Sequence, residues 1–278
     1  SDHIYIIAGS DNRGFGGRDT ALIKYNSSGD LQWDTAWGGT GYDDPKGLSL
    51  DSSGNLYITG MTDSFGVGDY DIFVTKFNGV NQLWNFTWGG VNSDIPRDLV
   101  LDTSNNMYIG GYTESFGSGS SDIVTIKYDS LGIQQWNKTW GGTDLEECSG
   151  IRIDSSNNTY ITGQVNSFNT VSTNILLLKY NNTGDEEWYK TWDGESADQC
   201  RTMAFDLSGN YYLAGFSEAF GTGGADAIVL KYDGTGNHQW NATWGGDERD
   251  EANSVVVGPF GNIFVTGETN SFGPGDSC

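Results

Sequence analysis

The chain has 278 residues, with 41 Gly, 10 Trp and 37 acidic against 14 basic side chains, for a formal charge of −23. That charge speaks against nucleic acid as a partner, because phosphate binding needs clustered Lys and Arg. No stretch nears eighteen consecutive apolar residues, so no membrane span is expected, and no charged-then-apolar leader is visible.

Taken in chain order, one period runs clearly from Lys46 to Trp88. Gly47–Asp51 alternates apolar and polar, and Ser52-Ser-Gly-Asn55 supplies a turn. Leu56–Gly60 follows, then a Gly-rich loop from Asp63 to Asp69, then Asp71–Phe77, the turn Asn78-Gly79, and Gln82–Trp88. These are four short strands of β-branched and aromatic residues separated by turn chemistry. All ten Trp fall in five Trp-x-x-x-Trp pairs, at 33/37, 84/88, 136/140, 188/192 and 240/244. Trp at i and i+4 also suits a helix face, but the Gly-Gly after Trp37, Trp88, Trp140 and Trp244 favours strand, where i and i+4 share a face.

The fixed period implies stacked supersecondary units, with repeats at about 1–45, 46–96, 97–148, 149–200 and 201–252 and a partial 253–278, in one domain. Twisted four-stranded sheets with large aromatics on both faces need a neighbouring sheet on each side. The expected fold is therefore all-β, a β-propeller of four-stranded antiparallel blades, five blades of about 52 residues. The Tyr-Ile-Thr-Gly strand occurs six times, at Tyr5, Tyr57, Tyr108, Tyr160, Tyr212 and Phe264, against five for the Lys strand and the Trp strand. About twenty-one strands result. Two explanations stay open: a piece of a longer propeller, or a five-bladed ring closed by C-terminal strands with one strand to spare for exchange between molecules.

Asp51-Ser-Ser-Gly-Asn-Leu-Tyr-Ile-Thr-Gly60, Asp71-Ile-Phe-Val-Thr-Lys76 and the Trp-x-x-x-Trp-Gly-Gly ending resemble the SBBP β-propeller repeat family over essentially the whole chain. The resemblance implies an exported bacterial or archaeal scaffold with no common activity. It implies no cofactor.

Six residues after the second Trp, each repeat has a carboxylate: Asp43, Asp94, Glu146, Asp198 and Asp250. The Gly-rich loops end in a second set, Asp19, Asp71, Asp122 and Asp226, broken by Asn174. In a meander both sets lie at one end of the sheets, near one channel mouth if a ring closes. Such sets suit a hard cation, Ca²⁺ above all. Against that, each carboxylate can cap backbone N–H groups or pair with a cation, and Lys46, Arg97 and Arg201, three residues after Asp43, Asp94 and Asp198, favour the second account.

Six sequons start at Asn26, Asn85, Asn137, Asn157, Asn181 and Asn241, permitting glycosylation, and the shared place of Asn85, Asn137 and Asn241 favours an extracellular, surface-displayed chain. Cys148 and Cys200 occupy equivalent places and are expected as partly buried thiols rather than a bridge; Cys278 is a terminal thiol. His3 and His238 are out of register, which leaves no triad or His-based metal site. The expected function is a non-catalytic scaffold for adhesion, for binding a surface protein or glycan, or for self-assembly. The alternatives are a lectin using its Trp faces, or a glycoside-acting or quinoprotein-like enzyme, which would need an asymmetric acid or His cluster.

Overall fold

Local turn chemistry sets where the chain reverses. In Asp51–Asn55 the Asp51 carboxylate accepts N–H bonds from Ser53 and Asn55, both at 2.9 Å, and Gly54 N donates to Asp51 O at 3.0 Å. This turn needs one residue at positive φ. Gly54, Asn105, Asn157, Gly209 and Gly261 take that place in successive repeats, since Gly has no Cβ to clash and Asn tolerates the left-handed region.

The computed structural model describes residues 3–168, 172–221 and 223–273, which contain twenty-one strands and no helix. A three-stranded sheet holds β1 (His3–Ser10), β2 (Asp19–Asn26) and β3 (Leu31–Trp37). Four-stranded sheets follow. The first has β4 (Asp43–Leu50), β5 (Leu56–Thr62), β6 (Asp71–Asn78) and β7 (Asn81–Trp88). The second has β8 (Asp94–Leu101), β9 (Met107–Thr113), β10 (Asp122–Tyr128) and β11 (Gln134–Trp140). The third has β12 (Glu146–Ile153), β13 (Thr159–Val165), β14 (Asn174–Tyr180) and β15 (Glu186–Trp192). The fourth has β16 (Asp198–Phe205), β17 (Tyr211–Ser217), β18 (Asp226–Tyr232) and β19 (His238–Trp244). A two-stranded sheet, β20 (Asp250–Val257) and β21 (Ile263–Thr269), comes last. Six sheets thus stand where five blades are expected, because β20 pairs with β21 while β1 pairs with β2.

The sheet boundaries also correct the repeat boundaries. Each first strand begins at its carboxylate, Asp43 rather than Gly47 in the first complete sheet. A register shift between Pro45 and Gly47 interrupts the alternation there, and shifts recur at Pro96/Asp98, Cys148/Gly150, Cys200/Thr202 and Ala252/Ser254. A bulge adds one residue to one strand, so a strict period of two misses the strand's start.

The chain divides into two compact units, residues 1–117 with 121–139, and residues 118–120 with 140–278. In the first unit, Leu22, Trp37, Leu56, Ile58, Phe73 and Phe77 form one buried cluster. Tyr57, Ile72, Val74, Leu99, Met107 and Ile109 belong to another. In the second unit, Ile175, Leu177, Met203, Leu213, Ile228 and Leu230 play the same part. Burying each such side chain contributes roughly 1.5–3 kcal/mol. The second Trp of a sheet packs forward onto the next: Trp37 lies 4.4 Å from Phe73 and 5.5 Å from Phe65, ring centre to ring centre.

Candidate functional site

All nine candidate carboxylates are at most 2% exposed. They are not in loops: Asp43, Asp94, Glu146, Asp198 and Asp250 open the first strand of their sheets, Asp71, Asp122 and Asp226 open the third, and Asp19 opens β2, the middle strand of its three-stranded sheet. First and third strands of an antiparallel meander start at the same end, so the sheets with both acids, Asp43 with Asp71, Asp94 with Asp122 and Asp198 with Asp226, gather them at one end.

The first set organises three pieces of chain at once. Asp43 accepts Gly39 N at 2.8 Å, Ser64 Oγ at 2.7 Å and Thr62 Oγ1 at 2.5 Å. Asp94 repeats this with Gly90 N at 2.7 Å, Ser115 Oγ at 2.8 Å and Thr113 Oγ1. Glu146 accepts Gly142 N at 2.6 Å and Ser167 N at 3.0 Å. Asp198 accepts Gly194 N at 2.6 Å, and Asp250 accepts Gly246 N at 2.9 Å and Ser271 Oγ at 2.6 Å. Asp43, Asp94 and Asp250 thus tie the Trp-Gly-Gly loop to the Ser of the following Gly-rich loop. In the second set, Asp19 accepts Phe15 N at 3.1 Å and Asp71 accepts Val67 N at 2.6 Å.

The two sets meet at a glycine. A Cβ on Gly38 would lie against Asp19 Oδ1 and 2.8 Å from Asp43 Oδ2; Gly89 stands likewise between Asp71 and Asp94, and Gly245 between Asp226 and Asp250. Only a glycine lets both carboxylates approach the backbone this closely. Burial, together with the neighbouring charge of Asp43 or Asp94, raises the carboxyls of Asp19 and Asp71 above the ordinary range. Burial also raises Asp198, although Ser217 and Gly194 N donate to it. Among the described residues, no group of three or more His, Cys, Asp or Glu is arranged to hold a metal ion.

The expected ion pairs fall elsewhere. Lys46 Nζ sits 2.8 Å from Asp44, not on Asp43, and Arg201 reaches Glu251 at 3.0 Å, not Asp198. Adjacent strand residues face opposite ways, so Lys46, two residues on from Asp44, reaches Asp44 rather than Asp43. Arg97 lies over the Tyr112 ring at 5.2 Å.

The recurrent Lys belongs to the opposite end of the sheet. Strand register sets Tyr57 opposite Lys76 and Lys76 opposite Trp84. The ammonium lies 4.5 Å from the Tyr57 ring centre and 4.0 Å from Asp51 Oδ2. Lys24/Tyr5, Lys127/Tyr108, Lys179/Tyr160 and Lys231/Tyr212 repeat the stack at 4.8–5.4 Å. Residue spacing did not single out Thr62, Ser64, Thr113, Ser115, Thr269 and Ser271 as partners of the acids. Their Thr-x-Ser repetition was the available signal.

Asn85, Asn137 and Asn241 are exposed, whereas Asn26 and Asn181 are engaged in turns with Asp30 and Asp185. Cys148 and Cys200 are buried thiols, and burial pushes Cys200 up to about 12. Cys278 lies outside the described residues, as do 169–171 of the divergent fourth loop. Among the described residues, no helix is long and apolar enough to cross a membrane.

Residues 36–66 match the model of the SBBP beta-propeller repeat, so the chain carries that repeat. Regulatory protein FlaEY of Caulobacter vibrioides is 27% identical over 164 residues, covering 50% of this chain and 17% of that protein. A WD repeat-containing protein of Acanthamoeba polyphaga mimivirus is 23% identical over 257 residues, covering 81% and 17%. The chain thus spans about a sixth of the length of these curated relatives. Among solved structures, PorZ, a surface component of the type-IX secretion system of Porphyromonas gingivalis, superposes with a TM-score of 0.53 at 11% identity, over 96% of this chain and 38% of that one. At that identity the likeness is one of fold. The fold is a β-propeller.

Proposed function

We propose that the chain is a non-catalytic binding scaffold displayed outside the cell, working through many equivalent weak contacts rather than one pocket. The observation that carries this is an exposed Phe at the same place in every repeat. Phe15, Phe65, Phe116, Phe168, Phe220 and Phe272 are 41–75% exposed, one per repeat. Each from Phe65 onward is held from behind by a Trp ring at 5.1–5.5 Å. An exposed aromatic on a fixed support, repeated at constant spacing, suits multivalent capture of a surface glycan or of further copies of the chain, since linked weak contacts multiply. The exposed sequons at Asn85, Asn137 and Asn241 fit an extracellular surface.

The test compares the wild-type chain with Phe65→Ser, Phe116→Ser and Phe220→Ser combined. Light scattering across concentration measures self-association, and a glycan array measures sugar binding. Loss of either signal in the folded triple variant supports the scaffold. Turnover of a glycoside substrate by both proteins would replace it with an enzyme.

A further inference from the structure

The carboxylates on either side of Gly38 and Gly89 carry a negative charge that no ion pair among the described residues offsets. Asp19, Asp43, Asp71 and Asp94 are buried, and no Lys or Arg forms an ion pair with any of them among the described residues. Bringing two such carboxylates together without positive charge is costly. Hydrogen bonds account for most of the oxygens, but not all. Asp19 is 0% exposed, and its Oδ1 has no hydrogen-bond partner. That atom lies against Gly38 on the side of Asp43 Oδ2. Asn174, which opens β14 at the equivalent place in its repeat, is 2% exposed, and its Oδ1 also lacks a partner. The same unmet acceptor thus recurs at the same place in two separate repeats. The one departure from Asp is the residue that keeps a hard oxygen while giving up the charge.

We infer that the carboxylate pairs flanking Gly38, Gly89 and Gly245 each hold one hard divalent cation, Ca²⁺ by preference. Two carboxylates supply the charge, and hydroxyl, carbonyl and water oxygens complete the shell, as Ca²⁺ accepts six to eight oxygens. The ion would join β2 to β4 and β6 to β8, strands of successive sheets, because Asp19 belongs to β2 and Asp43 to β4, and Asp71 to β6 and Asp94 to β8. The cation therefore acts between neighbouring sheets, where the Trp–Phe contacts also act. The Asn174/Asp198 place keeps a single carboxylate and binds more weakly, since affinity follows ligand charge.

The experiment uses the whole chain and the variant Asp19→Asn/Asp71→Asn/Asp226→Asn, which copies the amide already present at Asn174. Calorimetric titration with Ca²⁺ at pH 7.5 counts the ions. Tb³⁺ luminescence excited through Trp locates them, since Trp37, Trp88 and Trp244 immediately precede the three glycines. The expected result is three fewer Ca²⁺ ions bound by the triple variant, at least tenfold weaker Tb³⁺ emission, and loss of a Ca²⁺-dependent rise in melting temperature that the wild type shows. A cooperative melt in metal-free buffer, at or above the wild-type melting temperature, shows that the variant folds. Equal stoichiometry in both proteins would overturn the inference by placing the ions on the general acidic surface. A protonated-carboxyl infrared band at pH 7.5, unaffected by Ca²⁺ and absent from the triple variant, would overturn it by putting a proton where the cation is inferred.

Discussion

The two ends of a single sheet handle the same side chain in opposite ways. At the turn end, Asp51, Asp154 and Asp206 are pulled below the ordinary carboxylate range. Burial opposes this, but Asn55, Asn158 and Asn210 outweigh it with side-chain amides and backbone N–H groups. At the loop end, Asp19, Asp71 and Asp198 are pushed up, because burial meets too few donors and, for Asp19 and Asp71, another carboxylate. Asp250, also at the loop end, is lowered despite its burial because Ser271, Thr269 and Gly246 N donate to it, so the supply of donors decides whether an Asp stabilises the fold as an anion. The excess of acidic residues is therefore not one uniform solvated surface.

Removing the carboxylates separates the ends most sharply. Asp154→Ala leaves the Tyr160 hydroxyl and the Asn158 amide without their acceptor, at 3.1 and 2.8 Å, and should cost about 2–3 kcal/mol in a denaturant melt at pH 7. Asp71→Asn in metal-free buffer should shift stability by less than about 1 kcal/mol, and upward, because it removes a buried like-charge contact while Val67 N keeps an oxygen to donate to. If both substitutions destabilise equally, the two ends do not differ.

Acid titration sharpens the same contrast. The turn-end carboxyls have lowered folded-state pKa values, so their contribution is complete above the unfolded value of about 4 and is lost as pH falls through the folded values. Asp19, Asp71 and Asp198 are raised, so their contribution is present below about 4 and is lost as pH rises through the folded values. Metal-free stability should thus pass through a maximum in mild acid. Asp19→Asn/Asp71→Asn should flatten only the high-pH limb, read by melting temperature from pH 3 to 8. A variant curve parallel to the wild type would remove the loop end from the account.

These contrasts show what could be read from the residues alone. Turns and aromatic strands were legible, because Asp51-Ser-Ser-Gly-Asn55 and the Trp pairs express local backbone preference and period. The heads of the first strands were not, since the bulge at Pro45/Gly47 hides four residues of strand behind a broken alternation. The acids were found as a set, but their partners were not. Thr62 lies 19 residues from Asp43 and meets it only through strand register, while Lys46, close in sequence, faces Asp44.

The smallest effect separates two causes within the turn end itself. Asp51 is hydrogen-bonded by Asn55 at 2.7 Å and approached by Lys76 at only 4.0 Å. If hydrogen bonds set its low pKa, Asn55→Ala should cost about 1–1.5 kcal/mol, and Lys76→Met less than about 1 kcal/mol, most of it from the lost contact with the Tyr57 ring. The Lys76→Met deficit should then persist in an Asp51→Asn background, where no carboxylate attracts the ammonium but the ring still does. A deficit that disappears in that background would make the cation the main support of Asp51. The loop end would then differ from the turn end by its missing lysine rather than by its missing donors, and a bound Ca²⁺ would be replacing that lysine.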